Sequence, residues 1–398
     1  MRVRLSKYVI AIFYITITLF IFVQYQRSGS SMDEEPIRAV TDILPSCKCI
    51  SRSGNIYDFC YSLPENGQKG KRFDCKYVDK WERLLARKLG NYIDPVTDPL
   101  PDPVFVTAFS AGFLRNGLRL IHNIRATGSN QKIVIYDLGI WPKELVELQK
   151  SCNVEIRKFD FSIYPSYFKN LKTYRWKPVV IAETLADFGA IWYLDSSVIF
   201  EGKNVSHVYD LINCQKTVFK RSQLASISKR DEREREEEHE SGWNKKIWRR
   251  NLEECRKSTY LLHGYSGHGI YSVTNPEVYK YLPTNPDEMK KPKAKMYDAG
   301  FVYAVNTEKT MQYIVKWYLL CALEEGCMAP GDSQLNCNFV NDDRFQHYAR
   351  CHRFDQSIIN MLLANTYWYD RRYYVSEIVD FFHIERSQTK GNWSLECS

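Results

Sequence analysis

The sequence predicts an α/β fold in which one mostly parallel sheet is flanked by helices, and three observations carry that reading. Between Val104 and Phe200, short apolar runs alternate with amphipathic stretches, the rhythm of strand, crossover helix and next strand. The apolar runs, Ala190–Leu194 above all, lack the polar alternation of a half-exposed strand and read as strands covered on both faces. Finally, 398 residues with 44% apolar and 14% aromatic side chains supply core for one large or two medium domains.

Taken in order, the chain opens with a different material. Tyr8 to Val23 carries no charge, follows Arg2, Arg4 and Lys7, and precedes Arg27. As a helix it spans roughly 24 Å, enough for the thinner membranes of the early secretory pathway. The basic excess in front points the N-terminus at the cytosol, and Gln24-Tyr25-Gln26-Arg27 lacks a small-residue cleavage site. Residues 1–7 therefore read as a cytosolic tail and 8–24 as an uncleaved signal anchor. Residues 25–101 read as a lumenal stem with a cysteine-containing subdomain and one helix at Val78–Leu89. Asp94 to Pro103 holds four prolines, reads as extended and marks the boundary with a domain at 102–398.

In that domain, strands are expected at Val104–Phe109, Lys132–Tyr136 (ending on Asp137) and Val154–Phe159, with helices at Leu114–Arg125 and Pro142–Lys150. Trp176 to Phe200 is the organising stretch. Pro178 suits a first helical turn, Ile181, Leu185 and Phe188 repeat on one face, and Gly189 stands at the C-cap. The strand Ala190–Leu194 follows and ends on Asp195, at the carboxyl edge where open α/β sheets bind ligands. Lys177, in the first helical turn, sits against the macrodipole, a conflict that a bound phosphate would resolve.

Residues 203–260 interrupt the alternation, and the charge run Lys229–Glu240 reads as a solvated helix or loop. Strand character returns after Leu261, where His263 and His268 are spaced for opposite faces of an extended chain and not for a shared metal. A strand is expected within Met296–Asn306, a buried helix at Lys309–Glu324 and a helix opened by Asp355 and Gln356, with Ile359, Leu362 and Leu363 facing the core. Tyr373 to Ile384 reads as a strand with His383 near its end.

The twelve cysteines are scattered singly, which favours disulfides and an oxidising compartment, and the neighbours Cys47 and Cys49 suit different partners. Asn204 and Asn392 lie in glycosylation sequons. Net charge +8, with no helix-turn-helix, zinc-finger or RNA-binding pattern, argues against nucleic acid. No G-x-G-x-x-G follows the first strand and no Walker A sequence occurs, which weakens dinucleotide redox chemistry and P-loop hydrolysis. The α/β alternation argues against a secreted adhesion module.

The order of these parts resembles the nucleotide-sugar-dependent glycosyltransferases of the single-Rossmann-like, Asp-x-Asp (GT-A) type, and the nearest ordering is that of the glycogenin-like group. Its elements are a Lys opening a helix, a hydrophobic strand ending in an Asp-led triplet, an Asp-x-Gly strand, an Asp-Gln helix and a late His. Val104 to Trp393 also resembles an uncharacterised animal family of unknown function assigned to that fold. The resemblance implies a UDP-sugar donor, a glycan, protein or lipid acceptor, and a Golgi or endoplasmic reticulum membrane location with the catalytic domain lumenal. By it, Thr107 and the turn after it hold base and ribose with Asp137 nearby, Lys177 contacts the diphosphate, and Asp195, Ser197 and His383 hold a Mn²⁺ or Mg²⁺ ion. Asp298 and Gly300 touch the donor sugar, Asp355 and Gln356 the sugar and acceptor, and Lys390 a phosphate.

Here the triplet is Asp195-Ser196-Ser197, so a hydroxyl stands where a second carboxylate would hold a hard cation. Without a metal, Lys177, Lys390 or an arginine must stabilise the departing diphosphate. Inversion would require a carboxylate base, Asp355 or Asp298, and retention would not. Ser197 also leaves open a catalytically silent, lectin-like or scaffolding member of the fold.

Overall fold

The computed structural model describes residues 44–85, 92–127, 129–149, 151–201, 205–222, 245–387, 391 and 393. The anchor segment 8–24, the charge run 229–240, both sequon asparagines and Lys390 lie outside the described residues. Among the described residues no helix is long and apolar enough to cross a membrane.

Residues 46–398 form one compact unit, so the expected boundary at 101 falls inside it. It opens with a hairpin, β1 (Lys48–Ile50) and β2 (Ile56–Asp58), followed by helix α1 (Val78–Leu85). Cys47–Cys60 and Cys49–Cys75 tie this part together, and each of the close pair of cysteines takes its own partner. Trp81 on α1 packs edge-on against Tyr57 at 4.5 Å, Phe73 stacks on Tyr281 at 5.4 Å, and Tyr61 meets Trp317 at 5.4 Å. These rings join the cysteine-rich part to the body. The proline run that follows is a turn in its first half: Asp98 N–H donates to Asp94 O at 2.8 Å, and the Asp98 carboxylate accepts from Asp94 N–H. Asp side chains that bind their own backbone favour turns over the extended form expected for prolines alone.

Next come β3 (Val104–Phe109), α2 (Leu114–Ala126), β4 (Ile133–Asp137), α3 (Pro142–Gln149), β5 (Val154–Lys158), α4 (Trp176–Phe188), β6 (Ala190–Leu194) and the short β7 (Val198–Phe200). Helices α5 (Ser206–Ser222) and α6 (Lys245–Glu254) are joined by Cys214–Cys255. Strands β8 (Tyr260–Leu261), β9 (Tyr265–Gly269), β10 (Lys295–Tyr297) and β11 (Phe301–Val305) lead to helices α7 (Lys316–Leu323) and α8 (Asp355–Thr366), and β12 (Phe382–Ile384) closes the set.

The main sheet has the order β5-β4-β3-β6-β11-β8. Strands β5, β4, β3 and β6 are parallel, whereas β11 runs antiparallel to both β6 and β8, so the sheet is mixed and rich in parallel pairs. The chain moves outward from β3 through β4 to β5 and then returns to the other side of β3 as β6. That reversal is a topological switch point, and open α/β sheets bind ligands outside the carboxyl ends of the strands at such a point. Alternation along the strands feeds two cores: Val106, Tyr193 and Val302 meet α4, α7 and α8, while Phe105, Trp192 and Phe301 meet α2 and α5.

Two elements differ from expectation. Residues 310–315 form a π-helical turn before α7 instead of a continuous α-helix. Of the strand expected at 373–384 only β12 forms a run, and upstream of it Val375 makes an isolated parallel bridge to Leu262. Leu262 N–H donates to Tyr374 O, Ser376 N–H to Leu262 O, and the buried Lys257 ammonium to Val375 O at 2.6 Å.

The docking of the cysteine-rich part rests on a backbone contact at Gly70, where a Cβ would lie 2.0 Å from Tyr281 O and 2.9 Å from Pro283 Cδ. Gly70→Ala is therefore expected to cost about 1–3 kcal/mol by overpacking. Urea unfolding would check this, and an unchanged midpoint would show that the two parts are not tightly seated.

Candidate functional site

Three segments far apart in sequence meet at the carboxyl end of β6. Lys177 comes from the first turn of α4, Asp195 from the end of β6 and Asp355 from the first turn of α8. Lys177 is 2% exposed and Asp355 4%. The Lys177 ammonium lies 3.1 Å from Asp195 Oδ1, 3.2 Å from Asp195 Oδ2 and 2.6 Å from Asp355 Oδ2, and it donates to Ala299 O at 3.4 Å. The contact with Asp355 is an ion pair whose direction is not that of a hydrogen bond. Tyr193 OH donates to Asp195 Oδ1 at 2.7 Å, and the rings of Tyr174 and Tyr193 each lie 5.3 Å from the ammonium. The conflict between Lys177 and the helix dipole is thus resolved by two carboxylates, and not by the phosphate that the sequence suggested.

Charge fixes the protonation states. Burial alone would lower Lys177, but Asp195 and then Asp355 raise it, so the ammonium stays charged. Burial lifts Asp355 from 3.8 to about 6; Lys177 opposes that rise and Asp195 adds to it. Burial and the Asp195 charge push the Tyr193 phenol far up, which keeps it a donor.

Asp298 stands beside this cluster. Its N–H donates to Gly264 O at 2.8 Å, its Oδ1 accepts from Ser266 Oγ at 3.3 Å, and Gln356 Nε2 in turn donates to that hydroxyl at 2.6 Å. Burial raises Asp298, the Arg386 guanidinium and the Ser266 bond pull it back, and Asp195 pushes it up. Gly300 carries no side chain for a steric reason: a Cβ there would lie 2.8 Å from Asp195 Oδ2. Asn360 on α8 binds both the N–H and the C=O of Tyr297, at 2.8 and 2.7 Å, and so locks the Asp298 strand to the helix that carries Asp355. The backbone entering α8 is strained, with Phe354 at φ 47°, ψ −119°. It is held by Arg353 N–H donating to Val273 O and to Ser357 Oγ.

The structure therefore brings together Lys177, Asp195, Asp355, Asp298, Gly300 and Gln356. Other expected residues are used differently. Thr107 is buried on β3 and alternates with Val106 and Ala108, so its side chain lies on the opposite face of the sheet from Lys177. Asp137 is a turn cap whose Oδ1 accepts from Gly139 and Ile140 N–H at 2.8 and 2.6 Å. His383 is half exposed, with Nδ1 3.0 Å from Glu201 Oε1. Ser197 lies opposite Glu385, whose N–H donates to Ser197 O at 2.9 Å.

Tyr193, Ser266, Arg353 and Arg386 were not singled out from the sequence. Both arginines stand inside the stretches that drew attention there, Arg353 two residues before Asp355 and Arg386 three after His383. Their signal was position next to the Asp-Gln pair and the late His.

A divalent cation fits this donor set poorly. Both oxygens of Asp195 already face Lys177, Ser197 is a weak ligand, and His383 is engaged with Glu201. Among the described residues the one grouping of three His, Cys, Asp or Glu ligand atoms is Cys47, Asp58 and Cys60, and its two cysteines form a disulfide.

Removing Lys177 would leave Asp355 buried without its cation. Lys177→Met should cost about 3–5 kcal/mol of stability, and adding Asp355→Asn should recover most of it. Guanidinium unfolding of the two variants decides the point. Because Asp355 binds its proton more tightly folded than unfolded, the stability it contributes is full below pH 3.8 and is lost as pH rises through about 6. Asp355→Asn should flatten stability across that window, and an identical slope in both proteins would refute the assignment.

Comparison with known proteins gives loose likenesses. A family described as a protein of unknown function, DUF1647, matches residues 47–182, less than half of the chain and including the cysteine-rich part that the expected resemblance left outside. No curated protein matches. The WbbM bifunctional glycosyltransferase, in its apo structure, is similar at 13% identity and TM-score 0.37 over 71% of this chain, which spans only 40% of that one. The galactosyltransferase LgtC, in complex with donor and acceptor sugar analogues, is similar at 11% identity and TM-score 0.30, over 58% of this chain and 74% of its own. Core-mannan synthase A (CmsA/Ktr4) from Aspergillus fumigatus, in a Mn/GDP form, is similar at 10% identity and TM-score 0.34, over 76% and 82%.

Proposed function

We propose that this protein transfers a sugar from a nucleotide-sugar donor, a UDP-sugar by the resemblance noted above, to a glycan, protein or lipid acceptor. The observation that carries the reading is the buried Lys177 held between Asp195 and Asp355 at the carboxyl edge of β6, beside the switch point of the sheet. A buried ammonium fixed by two carboxylates is a preorganised charge that shapes the field at this edge of the sheet.

In this reading the acceptor hydroxyl attacks the anomeric carbon and the bond from that carbon to the diphosphate oxygen breaks. The electron pair leaves with the nucleoside diphosphate. In an inverting reaction the hydroxyl proton passes to a carboxylate, and Asp298 suits that role better than Asp355. Asp298 is partly exposed and its pKa is raised toward working pH, whereas Asp355 is enclosed against Lys177. Ser266 and Gln356 orient Asp298.

The same reading makes the protein a type II membrane protein of the Golgi or endoplasmic reticulum, anchored by residues 8–24. Disulfides such as Cys321–Cys327 and Cys337–Cys351 support an oxidising lumen.

Screening nucleotide sugars by thermal shift, since a ligand of the folded state raises apparent stability, should find a donor. With that donor, Asp298→Asn should lower turnover about 100-fold or more and leave nucleotide binding in place. No shift and no turnover with any common donor would leave the silent, scaffolding reading.

A further inference from the structure

Away from the carboxyl edge of the sheet, the cysteine-rich part and the loop after β5 border a cleft of about 560 Å³, a volume in the range of small-molecule sites. One wall is α1 with the turn before it. Tyr77, Val78 and Trp81 are buried on its inner side, and the outer side presents Lys76, Asp79, Lys80 and Arg83, spaced i, i+3, i+4 and i+7. The opposite wall is Ile163, whose side chain is exposed, and Pro165. Lys80 joins the two walls: its ammonium donates to Ile163 O and lies 3.8 Å from the centre of the Tyr164 ring. The floor is fixed through Tyr77, whose OH donates to Tyr167 OH at 2.9 Å, because Tyr167 gives its own proton to Leu323 O at 2.5 Å.

The acids around this cleft are committed elsewhere. Asp79 accepts from Arg52 N–H at 2.8 Å and pairs with Arg52 Nε at 3.1 Å, and Asp74 pairs with Lys76 at 2.7 Å. Glu82 turns to the β1–β2 hairpin, where its Oε1 accepts from Ser51, Ser53, Asn55 and Tyr57 at 3.0, 2.7, 2.7 and 2.6 Å. Asp160 accepts from Ser162 N–H at 2.9 Å. Lys80 and Arg83 therefore stand one helical turn apart with no carboxylate in ion-pair contact among the described residues, and Arg83 engages only Asp79 O, through Nε at 3.3 Å. Like charges at this spacing repel, and burial and then Arg83 pull the Lys80 ammonium down to about 8. An anion between them removes that conflict. Two further features narrow its chemistry. Glu82 lines the cleft with an Oε2 that accepts no hydrogen bond among the described residues, which suits a ligand hydroxyl, and Ile163 with Pro165 offers an apolar surface for a C–H face. Bare sulfate or phosphate would use neither. A ring with hydroxyls on its edge, C–H groups on its face and an acid substituent uses both, and that is the chemistry of an acidic saccharide.

We propose that this cleft is a second ligand site, which binds an acidic glycan with its sulfate or carboxylate between Lys80 and Arg83. Binding there needs no catalysis: a transferase would use it to hold an acceptor, and a silent member of the fold as a lectin-like contact. Calorimetry on the full-length protein in detergent, with no donor present, measures binding of a sulfated hexasaccharide, a uronic-acid hexasaccharide, a neutral hexasaccharide and inorganic sulfate. The expected result is binding of an acidic hexasaccharide, with about a tenfold or greater loss in Lys80→Gln/Arg83→Gln. Which of the two binds tells sulfate from carboxylate. Because the chain carries a net charge of +8, the control removes the same charge elsewhere: Lys291→Gln/Lys293→Gln, at exposed positions, should bind as the unaltered protein does. Ile163→Ser, which removes apolar surface and no charge, should weaken the hexasaccharide several-fold. No binding of either acidic hexasaccharide, equal losses in the two charge variants, equal binding of the neutral one, or sulfate held as tightly as the saccharides overturns the inference. With no donor in the cell, each of those outcomes leaves the sugar-transfer reading standing.

Discussion

Everything at the carboxyl edge of this sheet depends on one buried ammonium. Lys177 is 2% exposed, and taking such a group out of water costs several kcal/mol unless charge is returned to it at close range. Asp355 at 2.6 Å and Asp195 at 3.1 Å return it. The arrangement ties together a helix start, a strand end and a second helix start that lie far apart in sequence. It also sets the character of its members. Asp355 cannot be fully solvated and is pushed toward neutrality, Tyr193 is kept a donor, and Asp195 is left as the partly exposed face of the cluster.

The surrounding chain serves to hold that geometry. Strain at Phe354 persists because its neighbours leave it no alternative. His352 accepts from Asn275 N–H through Nδ1, which assigns its proton to Nε2 and to a bond with Met328 O. Cys351, immediately before, is fixed to Cys337. On the other side Arg175 donates to Ala322 O, Glu324 O and Glu325 O, so that the residue two before Lys177 caps the end of α7. Disulfides and buried polar bonds therefore converge on the two helix starts that supply Lys177 and Asp355.

Sequence periodicity was enough to place α4, β6 and the β3-to-β5 units, because strands buried on both faces and amphipathic helices are fixed by local pattern. It could not give strand direction: Phe301–Val305 is as apolar as Ala190–Leu194 yet runs antiparallel to it. Nor could it say what a polar side chain spends itself on. Asp137 sits at the expected strand end but closes its own turn, and Thr107 faces the other core. The order of Lys177, Asp195 and Asp355 was legible; their mutual contact was not, since a Lys bonded to two carboxylates reads in sequence like a Lys awaiting a phosphate. Residues 374–381 carried a strand pattern of which the structure keeps only an isolated bridge from Val375 to Leu262, a long-range partner that local pattern does not name.

A division of labour among the charged groups follows from these contacts. Drawing Lys177 toward a phosphate would leave Asp355 with no counter-charge in a place where it is 4% exposed, so the ammonium is better suited to shape the field than to grip a ligand. Asp298 is under no such constraint: it is partly exposed and held by its own N–H donating to Gly264 O and by Ser266 donating to its carboxylate, so it can meet a ligand without uncovering a buried charge.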